Sequence, residues 1–178
     1  MTKWILVSTA GAVALCGLVA CSGEGQKYEI PKKLCDAPVD NNLLKPLLPD
    51  GRKVETLKEF SKVSPPHQFC DVMVDGDIDL STEGIWQKSG FTAKDAAKQT
   101  LVFNTRSTQH GTFEVWDTGA ITVFDCKTEK WNTPRYSLRS RYSLRVYAPR
   151  TEENLGDQIE RFLTVYAKEY RKTLHCQP

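Results

Sequence analysis

Near the C-terminus Leu155, Ile159, Phe162, Leu163, Tyr166, Tyr170 and Leu174 recur at three- and four-residue spacing. Such spacing places them in one stripe along a long helix. Thr151 reads as its cap. Glu152, Glu153 and Asp157 lie toward its positive end, and Lys168, Arg171 and Lys172 toward its negative end, in agreement with the helix dipole. About 23 residues at 1.5 Å each span about 35 Å, long enough to lie across a whole sheet. The aromatic members of the stripe belong to the core it builds, not to a ligand site. Whatever else this chain forms, it must cover that stripe.

The upstream sequence supplies strands to do so. In residues 69–82, Cys70, Val72 and Val74 alternate with polar neighbours, as do Ile78 and Leu80, around Asp75-Gly76-Asp77. This pattern predicts a hairpin. A three-residue loop would set Val74 opposite Ile78 and Val72 opposite Leu80, keeping one face apolar. Residues 101–104, 112–116 and 120–126 read as strands, with Asp117-Thr118-Gly119 joining the last two, and 135–147 alternates throughout. Asp40 caps a short helix over 41–48, distorted by Pro46 and ended by Pro49-Asp50-Gly51. Thr92 caps another over 92–98, with Asp95 in its first turn. Residues 52–61 fit helix or strand equally well. The expected fold class is α+β, an antiparallel β-sheet packed by a long C-terminal α-helix.

The other end of the chain speaks of location. Lys3 precedes an apolar run over 4–17, and Leu18-Val19-Ala20-Cys21 has the form of a lipobox. An ordinary secretory cleavage site wants small residues at −3 and −1, and Leu18 is bulky. Residues 4–20 are also short for a membrane span. We therefore expect a lipoprotein signal peptide over 1–20, with cleavage before Cys21 and acylation of its thiol. Residues 21–30 form the lipidated cysteine and tether. Residues 31–178 form one extracytoplasmic domain on the outer face of the cell membrane. The formal net charge of +2 falls to +1 with the loss of Lys3. That balance gives no general attraction to nucleic acid.

Four cysteines remain in the domain, Cys35, Cys70, Cys126 and Cys176. An even number in an exported chain argues for two disulfides, and their wide spacing argues against zinc. Of three connectivities we favour Cys35–Cys70 and Cys126–Cys176, since the second ties a strand end to the end of the last helix.

Chemistry-bearing motifs are few. Asp75, Asp77 and Asp79 mimic the start of a calcium loop, but the sixth and twelfth positions hold Leu80 and Trp86. His67, His110 and His175 share no metal-ligand spacing, and no nucleophile elbow or phosphate-cradling loop exists. No metal, cofactor or catalytic residue is assigned. The unusual feature is a tandem repeat over 135–146, Arg-Tyr-Ser-Leu-Arg-Ser followed by Arg-Tyr-Ser-Leu-Arg-Val. Its even period keeps both copies in one strand phase. Arg135, Arg139, Arg141 and Arg145 share one side, while Tyr136, Leu138, Tyr142, Leu144 and Val146 share the other. This arginine stripe suits an anionic envelope polymer, lipid headgroups or an acidic protein face. The bland alternative is that Glu114, Asp125 or Glu129 on neighbouring strands pair with it, leaving a solvated mixed-charge face.

With the lipobox, "Pro-Lys-Lys-Leu-Cys-Asp" at 31–36, "Leu-Leu-Lys-Pro-Leu-Leu-Pro-Asp-Gly" at 43–51 and "Cys-Asp-Val-Met-Val-Asp-Gly" at 70–76, the chain resembles the small two-disulfide lipoproteins of actinobacteria. The resemblance implies a location and carries no activity or site residue with it. The expectation is a membrane-anchored binding or accessory domain for an envelope polymer or protein partner, held to the bilayer through acylated Cys21. An envelope-modifying hydrolase with a spatially assembled site, or a structural partner of a membrane protein, are the alternatives.

Overall fold

Strand alternation decides the architecture, which we describe from a computed structural model covering residues 25–61, 67–127 and 139–176. The chain opens with a small ribbon of β1 (Lys33–Leu34) and β2 (Ala37–Pro38), followed by helix α1 (Asn41–Leu44). A seven-stranded antiparallel sheet comes next: β3 (Val54–Ser61), β4 (His67–Val74), β5 (Asp77–Lys88), β6 (Arg106–Thr108), β7 (Phe113–Trp116), β8 (Gly119–Asp125) and β9 (Arg139–Tyr147). Its spatial order is β3-β4-β5-β9-β8-β7-β6. Helix α2 (Ala93–Gln99) lies between β5 and β6, and α3 (Gly156–Thr173) ends the fold. The expected α+β class is thus observed, with the C-terminal helix packed on the sheet.

The first face of the sheet is dry. Tyr142, Leu144 and Val146 of β9, Leu80 of β5 and Val72 of β4 pack against Ile159, Phe162, Leu163, Tyr166 and Tyr170 of α3, all of them buried. Its rings interlock. Tyr142 meets Trp86 edge-on at 5.1 Å, and the Tyr142 and Tyr170 hydroxyls lie 3.1 Å apart. Gly84 is required beneath them, because a Cβ there would come within 2.0 Å of the Tyr142 hydroxyl. The Tyr166 hydroxyl donates to Leu34 O at 3.0 Å and so ties the ribbon to the helix.

Both favoured disulfides are present. Cys35–Cys70 joins the ribbon turn to β4, and Cys126–Cys176 joins the end of β8 to the residue region just past α3, with Cα separations of 5.8 and 4.7 Å.

Three local expectations are corrected. The β4–β5 turn is two residues long, with Asp75 (φ 52°) and Gly76 (φ 98°) both left-handed, the conformation that tight hairpins favour. Val74 therefore pairs with Asp77 and Met73 with Ile78, while Val72 still meets Leu80. Asp79 is the extra residue that absorbs the offset. It is held there because its carboxylate accepts from Val74 N at 3.2 Å, and burial raises its pKa. Ile78 consequently turns to the second face. Residues 101–104 are not a strand, since Leu101 (φ 56°) and Asn104 (φ 59°) are left-handed. Helix α3 begins at Gly156, not beside Thr151, whose hydroxyl instead accepts from Glu153 N. The intervening residues clamp the β7–β8 turn: Leu155 N donates to Asp117 O at 2.7 Å and Asn154 Nδ2 to Asp117 Oδ1 at 3.1 Å. Gly156 fits there because a Cβ would meet Trp116 O at 2.4 Å. The distortion expected at Pro46 is observed: the helix over 41–48 is α1 followed by a 3-10 turn, Lys45–Leu47, where Pro46 removes a donor. Residues 52–61 resolve to strand, chiefly β3.

Candidate functional site

The parity of β9 turns Arg139, Arg141, Ser143, Arg145 and Tyr147 onto the second face, opposite the α3 core. Cross-strand neighbours there are Gln87, Ile85, Glu83 and Ser81 on β5, and Ile121, Val123 and Asp125 on β8. Half of this face is covered. Helix α2 lays Ala93, Ala96 and Ala97 on Ile121 and Val123, with Phe91, Val102 and Trp116 at the margin. Its start is fixed by a capping box, in which Thr92 Oγ1 accepts from Asp95 N and Asp95 Oδ2 accepts from Thr92 N. The Thr92 hydrogen bonds hold the Asp95 carboxyl below the usual range.

Each described arginine of the stripe has its own acceptor. Arg139 Nη1 donates to Trp86 O. Arg141 Nη1 donates to Phe91 O at 2.6 Å, and its Nε lies 3.0 Å from Asp125 Oδ1. Arg145 Nη2 lies 2.6 Å from Glu83 Oε2, and its guanidinium carbon sits 4.4 Å above the Tyr147 ring. Asp125 is one of the expected cross-strand partners. Glu114 is not: it accepts from Thr105 and Ser107 hydroxyls. Arg135, Glu129 and the lipidation residue Cys21 lie outside the described residues. The structure brings three arginines to one face, then turns their charge inward.

Sequence reasoning missed the centre of this face. Glu83 is buried between two partners, Arg145 on one oxygen and His67 Nδ1 at 3.1 Å on the other. The strand phase set by Leu80 carries on through Thr82, Gly84 and Trp86, with polarity too mixed to mark it clearly. Extending the hairpin strand by those residues would have put Glu83 on the side opposite Leu80; its pairing with Arg145 follows only once β9 is known to lie beside β5. Beside the cluster, Gln87 Nε2 donates to Gln99 Oε1 at 2.8 Å and Ser143 Oγ at 3.0 Å, and Ser81 Oγ donates to Asp71 at 2.5 Å.

Past Tyr147 the face is uncovered. A concavity of about 600 Å³ opens there, with Phe69, Met73, Ile78 and Tyr147 among its apolar walls and Glu59 and Asp71 among its carboxylates. A second, of about 580 Å³, lies where α3 starts, but its Arg106 is engaged by Asp157. Chemically the first concavity offers an aromatic platform beside carboxylate acceptors, backed by a buried ion pair that fixes Tyr147 through Arg145. Among the described residues no group of three His, Cys, Asp or Glu is placed to hold a metal ion. The chain matches no protein-family model, no curated protein and no solved structure.

Proposed function

We propose that this chain is a membrane-anchored, extracytoplasmic binding or accessory domain, acylated at Cys21, that engages an envelope polymer or protein partner through the open half of its second sheet face. The observation that carries the reading is the concavity beside Tyr147. Its aromatic and Met walls stand next to Asp71 and Glu59, which accept hydrogen bonds but donate none when ionised. Such a lining favours a hydroxyl-rich or cationic segment with an apolar side, such as a glycan ring laid on Tyr147. It does not favour an anionic polymer, because the one arginine in its lining, Arg150, is engaged by Asp77, and the described arginines of the stripe already serve Glu83, Asp125 and backbone carbonyls.

The test is co-sedimentation of the full mature protein with purified envelope glycan, with Tyr147→Ala and Asp71→Asn compared against Arg139→Ser/Arg141→Ser. Loss of binding of on the order of tenfold in the first two variants is expected, in line with removing one buried anchor residue. Binding lost in the arginine variant alone would return the site to the stripe. Absence of binding in every form would remove the glycan reading.

A further inference from the structure

Leu101 and Phe103 are the most exposed large apolar side chains among the described residues, at 75% and 69%. They do not belong to a loose segment. Leu101 N donates to Lys98 O at 3.1 Å, Val102 N donates to Ala97 O at 2.9 Å, and Val102 between them packs into the α2 cluster. Left-handed backbone at Leu101 and Asn104, a conformation that side chains with a Cβ disfavour, presents the two residues outward. The tip is built, and nothing in the fold covers it.

Its surroundings are basic. Lys94 and Lys98 stand one turn apart on α2, off the side that buries Ala93, Ala96 and Ala97, and Leu101 follows two residues past the helix end. Lys94 and Lys98 are exposed, and Lys88 lies close enough to act on the Asp95 charge, as Lys98 does. None of these three lysines makes an ion pair among the described residues. Two apolar side chains projecting just past a helix whose exposed side carries Lys94 and Lys98 form the pattern of an interfacial anchor for an anionic lipid surface, with rings and aliphatic chains below the headgroups and ammonium groups among the phosphates.

The position of the chain's start favours a bilayer over a protein as the occupant. Lys27 N donates to Gly51 O, beside the β4–β5 turn. Asn104 leads into the first residue of β6 and borders Asp117 of the β7–β8 turn. Both turns lie at the same end of the antiparallel ladder. Cys21 precedes Gly25 by four residues, about 14 Å at full extension. The geometry therefore points to a second membrane contact: we propose that Lys94, Lys98, Leu101 and Phe103 dock on the anionic lipid surface and fix how the domain stands beside its acyl anchor. This rests on the lipoprotein reading, and its consequence is a set orientation for the Tyr147 concavity.

The experiment uses the full mature protein extracted from membranes. Its intact mass reads acylation of Cys21. Amide hydrogen exchange is then compared in phosphatidylcholine vesicles and in vesicles containing about one-third phosphatidylglycerol, where an approximately tenfold preference is expected from the lysines. Slower exchange over 94–105 in the anionic vesicles, lost in Leu101→Ser/Phe103→Ser and in Lys94→Glu/Lys98→Glu while the rest of the exchange pattern stays native, supports the contact. Unchanged exchange over 94–105 in an acylated protein overturns the contact and leaves the anchor standing. Protection seen in native membranes but not in protein-free vesicles also overturns it, assigning the tip to a protein. A mass without acyl groups overturns the anchor; flotation with the anionic vesicles then decides the patch alone, and failure to float overturns that too.

Discussion

On the first face of the sheet the buried groups are mostly rings and aliphatic chains under α3, with Thr82 and Thr122 among them. On the second they include Ser81, Glu83, Gln87, Glu114 and Ser143, beneath the two-turn helix α2 and an open edge. Apolar packing is non-directional and close-packed, so the first face gains most of its stability from area, with a few tyrosine hydroxyl bonds fixing its registry. A buried polar face depends on partners: Glu83 has Arg145 and His67 within ion-pair distance, while Arg145 Nε is buried without a hydrogen bond among the described residues. One side of a thin sheet thus carries stability, and the other is left free to carry geometry.

The division can be broken first at its staples. Cys126→Ser/Cys176→Ser opens a 50-residue loop and should cost about 4 kcal/mol in the chain-entropy account, read as the midpoint of urea unfolding. It should lower the stability of the whole domain, because α3 loses its tie to β8. Next, Glu83→Ala should cost about 3 kcal/mol by leaving the Arg145 guanidinium without its carboxylate. Adding Arg145→Ala should restore part of the loss, and a strictly additive double mutant would show that the pair is not coupled.

The tyrosines sharpen the contrast from the alkaline side. Burial raises Tyr142 and Tyr166 well above the ordinary value of 10.0 and Tyr170 to about 12. In the unfolded chain these phenols ionise near 10, so the folded state binds more protons above that pH. Stability from this source is complete below pH 10 and is lost as pH rises toward 12 and beyond. Tyr170 alone represents on the order of 2–3 kcal/mol. The ring Cζ NMR signals of Tyr142, Tyr166 and Tyr170 should therefore move to the tyrosinate position together with loss of the helix signal, while ionisation of these three well before unfolding would contradict the packing. The smallest effect belongs to the second face: Thr92→Ala removes the α2 capping box and should cost about 1 kcal/mol by thermal melting.

Much of the first face was legible because it rests on repetition. The spacing from Ile159 to Tyr170 and the phase of Tyr142, Leu144 and Val146 each specify a buried side without knowledge of the partner. The disulfides followed from the position of Cys176 just after the helix. Residues on the second face were harder to place, because their meaning depends on neighbours distant in sequence. Arg145 is a free cation or half of an ion pair according to which strand lies beside β9, and Glu83 is 62 positions away. Single-residue events were equally opaque. The bulge at Asp79 sends Ile78 to the other face, and the left-handed turn at Leu101 replaces a strand with a protruding tip. Propensity reads averages over a window, and neither event is an average.

The placement of Cys35 has a mechanical consequence. Ten residues after the described chain begins, the backbone is covalently joined to Cys70 in β4, one strand in from the edge of the sheet. Tension on the chain from upstream therefore bypasses α1 and the following loops. It enters β4 directly, where the hydrogen-bonded ladders to β3 and β5 share the load in shear. With Cys176 tied back to the end of β8, neither end of the domain can be peeled inward past its cysteine by force while the bonds are intact. A domain pulled between a surface and a bound partner would transmit that force with little extension.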